Sequence, residues 1–160
     1  MINIIRKLFS SSPLDKAFKN CLAADQALVV RVMMFYESYK AVGIDLSPDP
    51  TSLAELDCIL GSCDEDTHEL TFDAVSAFLG CIVRETLGGK WRRTNGGKYA
   101  IAGVGRRRVT VDVDRDLRAR LETGATAQEV YADIRDKAAV EPSRERPRRR
   151  YRLPGDGDVR

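Results

Sequence analysis

Residues 90–113 run KWRRTNGGKYAIAGVGRRRVTVDV. Asn95-Gly96-Gly97 separates two short runs carrying aromatic and β-branched residues. Asn-Gly is the strongest short signal for a hairpin, because both residues tolerate the positive φ that a tight turn demands. The spacing predicts strands over Lys90–Thr94 and Lys98–Val104. Gly105 breaks the second run. Arg107–Val113 then alternates, with Val109, Val111 and Val113 on one face, as a half-buried third strand does. A three-stranded antiparallel meander has one apolar face to bury, so the rest of the chain must cover it.

Upstream, the periodicity is helical. Apolar residues recur at spacings of three and four from Leu14 through Tyr39, with Ser12-Pro13 as a start signal and Gly43 as the stop. The pattern predicts one helix over Leu14–Ala41, central and mostly buried. Val30, Met34 and Phe35 widen its apolar surface, which also offers a homodimer face. After a Ser-Pro-Asp-Pro loop, Ser52 and Glu55 match a capping box that opens a short helix to Leu60. Thr71 is the expected cap of a third helix running to Leu87, with Asp73 in its first turn. Gly80 lies inside that helix, where it costs about 1 kcal/mol against Ala. Close approach of another helix is a sufficient reason for it. Trp91 is expected to pack against the helical cover.

Downstream, Asp114 or Asp116 is the expected cap of a short helix to Leu121, closed by Gly124. Thr126 and Glu129 form a second capping box, opening a last helix to Ala138 with Val130, Tyr131 and Ile134 inward. The predicted fold is therefore α+β: three N-terminal helices packed on a three-stranded antiparallel meander, followed by two short helices. The predicted organisation is an N-terminal extension over residues 1–13, one domain over 14–138, and an Arg-rich tail over 139–160. The tail is rich in Pro, Arg, Gly and Asp, a composition that cannot bury a core.

With 43% hydrophobic residues in 160, the chain has material for one core without a disulfide or metal. No apolar run approaches the roughly 18 residues of a membrane span. Met1–Ser12 is too short and broken for a signal peptide. The expectation is a cytoplasmic protein with reduced thiols at Cys21, Cys58, Cys63 and Cys81. The formal charge of +2 conceals strong blocks. Residues 45–73 carry nine acids and no Lys or Arg, whereas 74–108 carry eight basic residues against Glu85 alone.

Constellations for chemistry are sparse. Cys58, Cys63, His68 and Cys81 could make a Cys₃His zinc set, but two of the thiols sit at helical positions, so the expectation is no metal and no cofactor. The acidic stretch from Asp64 to Glu69 lacks the Gly and Glu of a calcium loop. Gly103-Val-Gly105 lacks the third Gly and the following helix of a phosphate loop, and reads as a strand-to-strand turn. His68, the single histidine, is expected in an acidic loop, where no base is held rigidly. No catalytic residue is assigned, and the expectation is a protein that is not an enzyme.

The stretch from Phe72 to Ala138 resembles a family of small bacterial domains of unknown function. The resemblance rests on Phe78-Leu-Gly80, Leu87-Gly-Gly-Lys-Trp91, Val111-x-Val113, Leu117 through Leu121 to Gly124, and Val130-Tyr131. It covers somewhat more than half of the chain and implies an α+β fold, with no catalytic residues to carry over. Similar domains occur among immunity-type and regulatory accessory proteins. The expected function is that of a non-catalytic protein-binding module. Its expected contacts are the basic residues Arg92, Arg93, Arg106 and Arg108 and the acidic residues Asp64, Glu65 and Asp66. The alternative is nucleic-acid binding by the basic meander and the Arg-rich tail.

Overall fold

The computed structural model describes residues 26–63, 67–95 and 98–139. The elements are α1 (Gln26–Ala41), a 3₁₀ turn (Pro50–Ser52), α2 (Leu53–Gly61), α3 (His68–Leu87), β1 (Lys90–Arg93), β2 (Tyr99–Val104), β3 (Val109–Val111), α4 (Val113–Leu121) and α5 (Ala127–Ala139). Among the described residues the fold is α+β, with three helices, an antiparallel meander in the order β1-β2-β3, and two further helices. Among the described residues no helix is long and apolar enough to cross a membrane. The expected helical stretch 14–25, the hairpin glycines 96–97, Asp64–Asp66 and the tail beyond 139 lie outside the described residues.

The central helix is α3, not the first helix. Every residue from Ala74 to Val83 is buried, and α1, α2, α4, α5 and β2 all pack on it. The reason is visible in composition. Residues 74–83 carry no charge, while α1 is interrupted by Arg31 and Glu37 and must keep one side in water. Leu28, Val29, Val32, Met33, Phe35 and Tyr36 of α1 are buried within this chain, and Val30 and Met34 face outward. Phe35 is ring-to-ring with Phe78 of α3 at 6.0 Å.

Gly80 answers to the sheet and not to another helix. A Cβ on Gly80 would overlap Cη2 of Trp91 and lie 2.9 Å from its Cζ2. The indole thus seats against the α3 backbone. Across the sheet Trp91 pairs with Ile101 and Ile101 with Val111. All three are buried, which defines the inner face.

Three expected caps are displaced. The start of α2 is set by Asp49, whose carboxylate accepts from the N–H of Thr51 at 2.9 Å. Pro50 favours a first helical position and carries the start back into a 3₁₀ turn. Ser52 therefore does not cap; its Oγ accepts from the N–H of Ser47 at 2.7 Å. Helix α3 begins at His68, so Thr71 is interior and His68 is helical, not in a loop. Glu69 in the first turn suits the positive helix end. The third strand stops at Val111 because Asp112 accepts from the N–H of Arg115 at 3.1 Å and caps α4. Val113 is then helical, and Asp114 and Asp116 fall in the first turn.

The Thr126–Glu129 box closes as expected. Thr126 Oγ1 accepts from the N–H of Glu129 at 3.2 Å, and Glu129 Oε2 accepts from the N–H of Thr126 at 3.0 Å. A distant residue joins it: Asp57 Oδ1 of α2 accepts from the N–H of Ala127 at 2.5 Å. Ala127 is fully buried, so losing this acceptor strands a shielded donor at a helix start. Asp57→Ala is expected to cost about 1–2 kcal/mol in urea unfolding, and Asp57→Asn, which keeps an acceptor, to cost less. Equal losses for the two would show that the carboxamide oxygen cannot replace the carboxylate.

Candidate functional site: a charged cleft beside the edge strand

Period-two alternation along β1 places Trp91 and Arg93 on the inner face and Lys90 and Arg92 on the outer one. Register pairs Arg93 with Tyr99 and Arg92 with Ala100. Beneath Trp91 and Arg93 opens a half-open cleft of about 410 Å³. Leu28 and Arg31 of α1, Asp73 and Ser76 of α3, Tyr99 of β2, and Asp114 and Arg118 of α4 line it, with Lys98 at its rim.

Ion pairs stitch these elements together. Arg118 grips Glu69 with both arms of its guanidinium, at 3.0 and 2.9 Å. It also lies 3.6 Å from Asp73 and 3.7 Å from Asp114. Its guanidinium carbon stands 4.1 Å from the centre of the Phe72 ring, a cation–π geometry. Arg31 reaches Asp73 at 2.9 Å, and Lys98 reaches Asp114 at 3.0 Å. The hydrogen bond from Arg118 holds the Glu69 carboxyl below its usual range. The same bond raises the Arg118 guanidinium, and the bond to Asp114 raises the Lys98 ammonium. All three shifts fix the charged form across neutral pH. That suits a standing electrostatic surface, not proton exchange.

Two groups at the cleft are left over. Trp91 is 8% exposed, and its Nε1–H is shielded without a hydrogen-bond partner. A buried donor in that state costs free energy that a bound acceptor would recover. Arg93 is exposed and makes no ion pair among the described residues.

The expected basic contacts do not share one surface. Arg93 enters the cleft wall, whereas Arg92 lies on the opposite face of the same strand. Arg106 and Arg108 lie in the turn between β2 and β3, at the far end of the sheet. The six residues of β2 put roughly 17 Å between the two ends. Arg108 has a left-handed backbone at φ 52°. Asp64, Glu65 and Asp66 lie outside the described residues. The acids Glu69 and Asp73 pair with Arg31 and Arg118, which belong to neither of the two charge blocks. The cysteines are dispersed: Cys58 is exposed on α2, Cys63 directs its Sγ to the Ile59 carbonyl at 3.1 Å, and Cys81 is buried in α3. Among the described residues no three His, Cys, Asp or Glu side chains come together as metal ligands would.

Arg31, Asp73, Asp114 and Arg118 were not singled out as site residues by sequence reasoning. The one local signal is the Asp114–Arg118 spacing of four on a helix. No family model matches the chain, and no curated protein or solved structure does either.

Proposed function

We propose that this protein is a non-catalytic binding module that docks an acidic surface of a partner protein on its β-meander, as an immunity-type or regulatory accessory module would. The observation carrying this reading is the sorting of charge. Glu69, Asp73 and Asp114 are consumed by Arg31, Arg118 and Lys98. Arg92, Arg93, Arg107 and Arg108 are left exposed, without an ion pair among the described residues. Unpaired guanidinium groups held on short, rigid elements give fast association and select an acidic partner.

The test is affinity capture from a native lysate with and without nuclease. It uses the wild type and a variant with Arg92, Arg93, Arg106 and Arg108 changed to Ser. The expected result is one protein that survives nuclease, is lost with the variant, and binds more weakly as salt rises when purified. Recovery of nucleic acid, or partners that vanish with nuclease, would overturn the reading in favour of nucleic-acid binding by the turn at Arg106–Arg108 and the arginines that follow Ala139 in sequence.

A further inference from the structure

The meander has two edges, and β1 forms one of them: among the described residues its only strand neighbour is β2. The hydrogen-bonding phase of β1 follows from the turn. The N–H of Thr94 donates to the carbonyl of Lys98 at 2.8 Å. Residues of an antiparallel pair alternate between bonded and non-bonded positions. Arg92–Ala100 and Lys90–Ala102 are therefore the bonded pairs. Trp91 and Arg93 turn their backbone N–H and C=O away from β2, towards that edge.

Three unsatisfied features thus coincide on four residues. The edge offers two backbone donors and two acceptors. Lys90 and Arg92 stand exposed on one face of it, and Arg93 on the other. The shielded Trp91 Nε1–H belongs to the same strand, beside the cleft. Basic residues on an edge strand ordinarily repel further strands of the same kind. They repel a second copy of this strand, and they attract a strand of opposite charge.

We propose that β1 is a β-addition site for an extended acidic segment of the partner protein. The segment pairs with the Trp91 and Arg93 backbone, and its carboxylates on successive residues reach both faces, meeting Arg92 on the outer face and Arg93 at the cleft. Main-chain bonds of this kind supply affinity, while alternate side chains supply selectivity. This inference rests on the protein-binding reading and adds the mode of contact to it.

The probe is an eight-residue capped peptide in which Glu-Glu pairs alternate with Thr-Thr pairs, so that both faces of the extended strand carry carboxylates, titrated into the full chain at low ionic strength. Trp91 is the only tryptophan, so its fluorescence and its indole N–H resonance report this strand alone. The expected result is a shift of the indole resonance and slowed hydrogen exchange at the Trp91 and Arg93 amides. Methylating alternate backbone nitrogens of the peptide, on the edge that meets β1, is expected to weaken binding about tenfold or more, since hydrogen bonds are lost while every charge is kept. Arg92→Ser with Arg93→Ser is expected to weaken the unmodified peptide similarly. If the methylated peptide binds as well as its parent, β-addition is overturned and charge-driven docking stands. If neither peptide binds, or only an oligonucleotide of equal charge does, both readings fall.

Discussion

Gly80→Ala is expected to destabilise the protein by up to about 2 kcal/mol, although alanine is the better helix former. Helix propensity alone favours the substitution by about 1 kcal/mol. Against it stands the overlap of the new Cβ with the Trp91 indole. The ring can move only towards the cleft. It is 8% exposed, it is flanked in the sheet by Ile101, and it faces the buried surface of α3. Overpacking a filled core typically costs 1–3 kcal/mol and occasionally more. The indole is the more adaptable partner, so it is expected to tilt towards the cleft, with a shift in its fluorescence maximum. The decisive measurement is the double-mutant cycle with Trp91→Phe. The smaller ring lacks the atoms that Gly80 accommodates. In that background Gly80→Ala should be neutral or stabilising by up to about 1 kcal/mol. An undiminished loss there would show that something other than the indole demands glycine at position 80.

The cycle also marks where the sequence was readable. Gly80 and Trp91 are each conspicuous alone, a glycine inside a helix and a tryptophan at the head of a strand. Nothing in the order of residues says that one is the socket for the other. The signals that could be read have both partners within a few residues. The antiparallel pairing of β1 with β2, the Thr126–Glu129 box and the alternation of Val109 and Val111 in β3 belong to that class. Their physics is local, so their spacing carries the information. The helix starts were harder for the same reason reversed. Pro50 and Asp49 compete with Ser52 for one start, and Asp112 competes with Asp114 and Asp116 for another. All are acceptable caps, and the choice depends on where the neighbouring strand or loop must end. Of the candidate site, the arginines of β1 were legible as charge. That Arg92 and Arg93 face opposite ways follows from the two-residue period of a strand. The ionic frame of the cleft was not legible. Arg118 meets Glu69 across 49 positions and Arg31 meets Asp73 across 42, and the Asp57 contact that completes the α5 cap spans 70.

The loop at the far end of the sheet makes the second large effect. Gly105→Ala is expected to cost about 3 kcal/mol, from two independent sources. Gly105 has φ +63°, a left-handed conformation that costs an L-residue about 1–2 kcal/mol. The new Cβ would also lie 2.6 Å from both the carbonyl oxygen and the Cβ of Ala138. Unlike the indole at Gly80, that oxygen belongs to the backbone and cannot rotate away. The turn is pinned on both sides: the Gly105 N–H donates to the Leu87 carbonyl at 2.9 Å, and the Arg107 N–H donates to the Ala138 carbonyl at 3.2 Å. Relief of the clash would have to separate the end of α5 from the turn that carries Arg106–Arg108, and so break the second of these bonds. Ala138→Gly removes one clashing atom and leaves the other. It is therefore expected to recover only part of the loss in thermal or urea unfolding. Full recovery would assign the effect to the methyl group of Ala138, and no recovery would assign it to the backbone angle and the carbonyl together. Because β1 lies across β2 from this turn, binding at the β1 edge should survive Gly105→Ala at temperatures where the variant is folded. That expectation separates the stability of the turn from recognition at the edge strand.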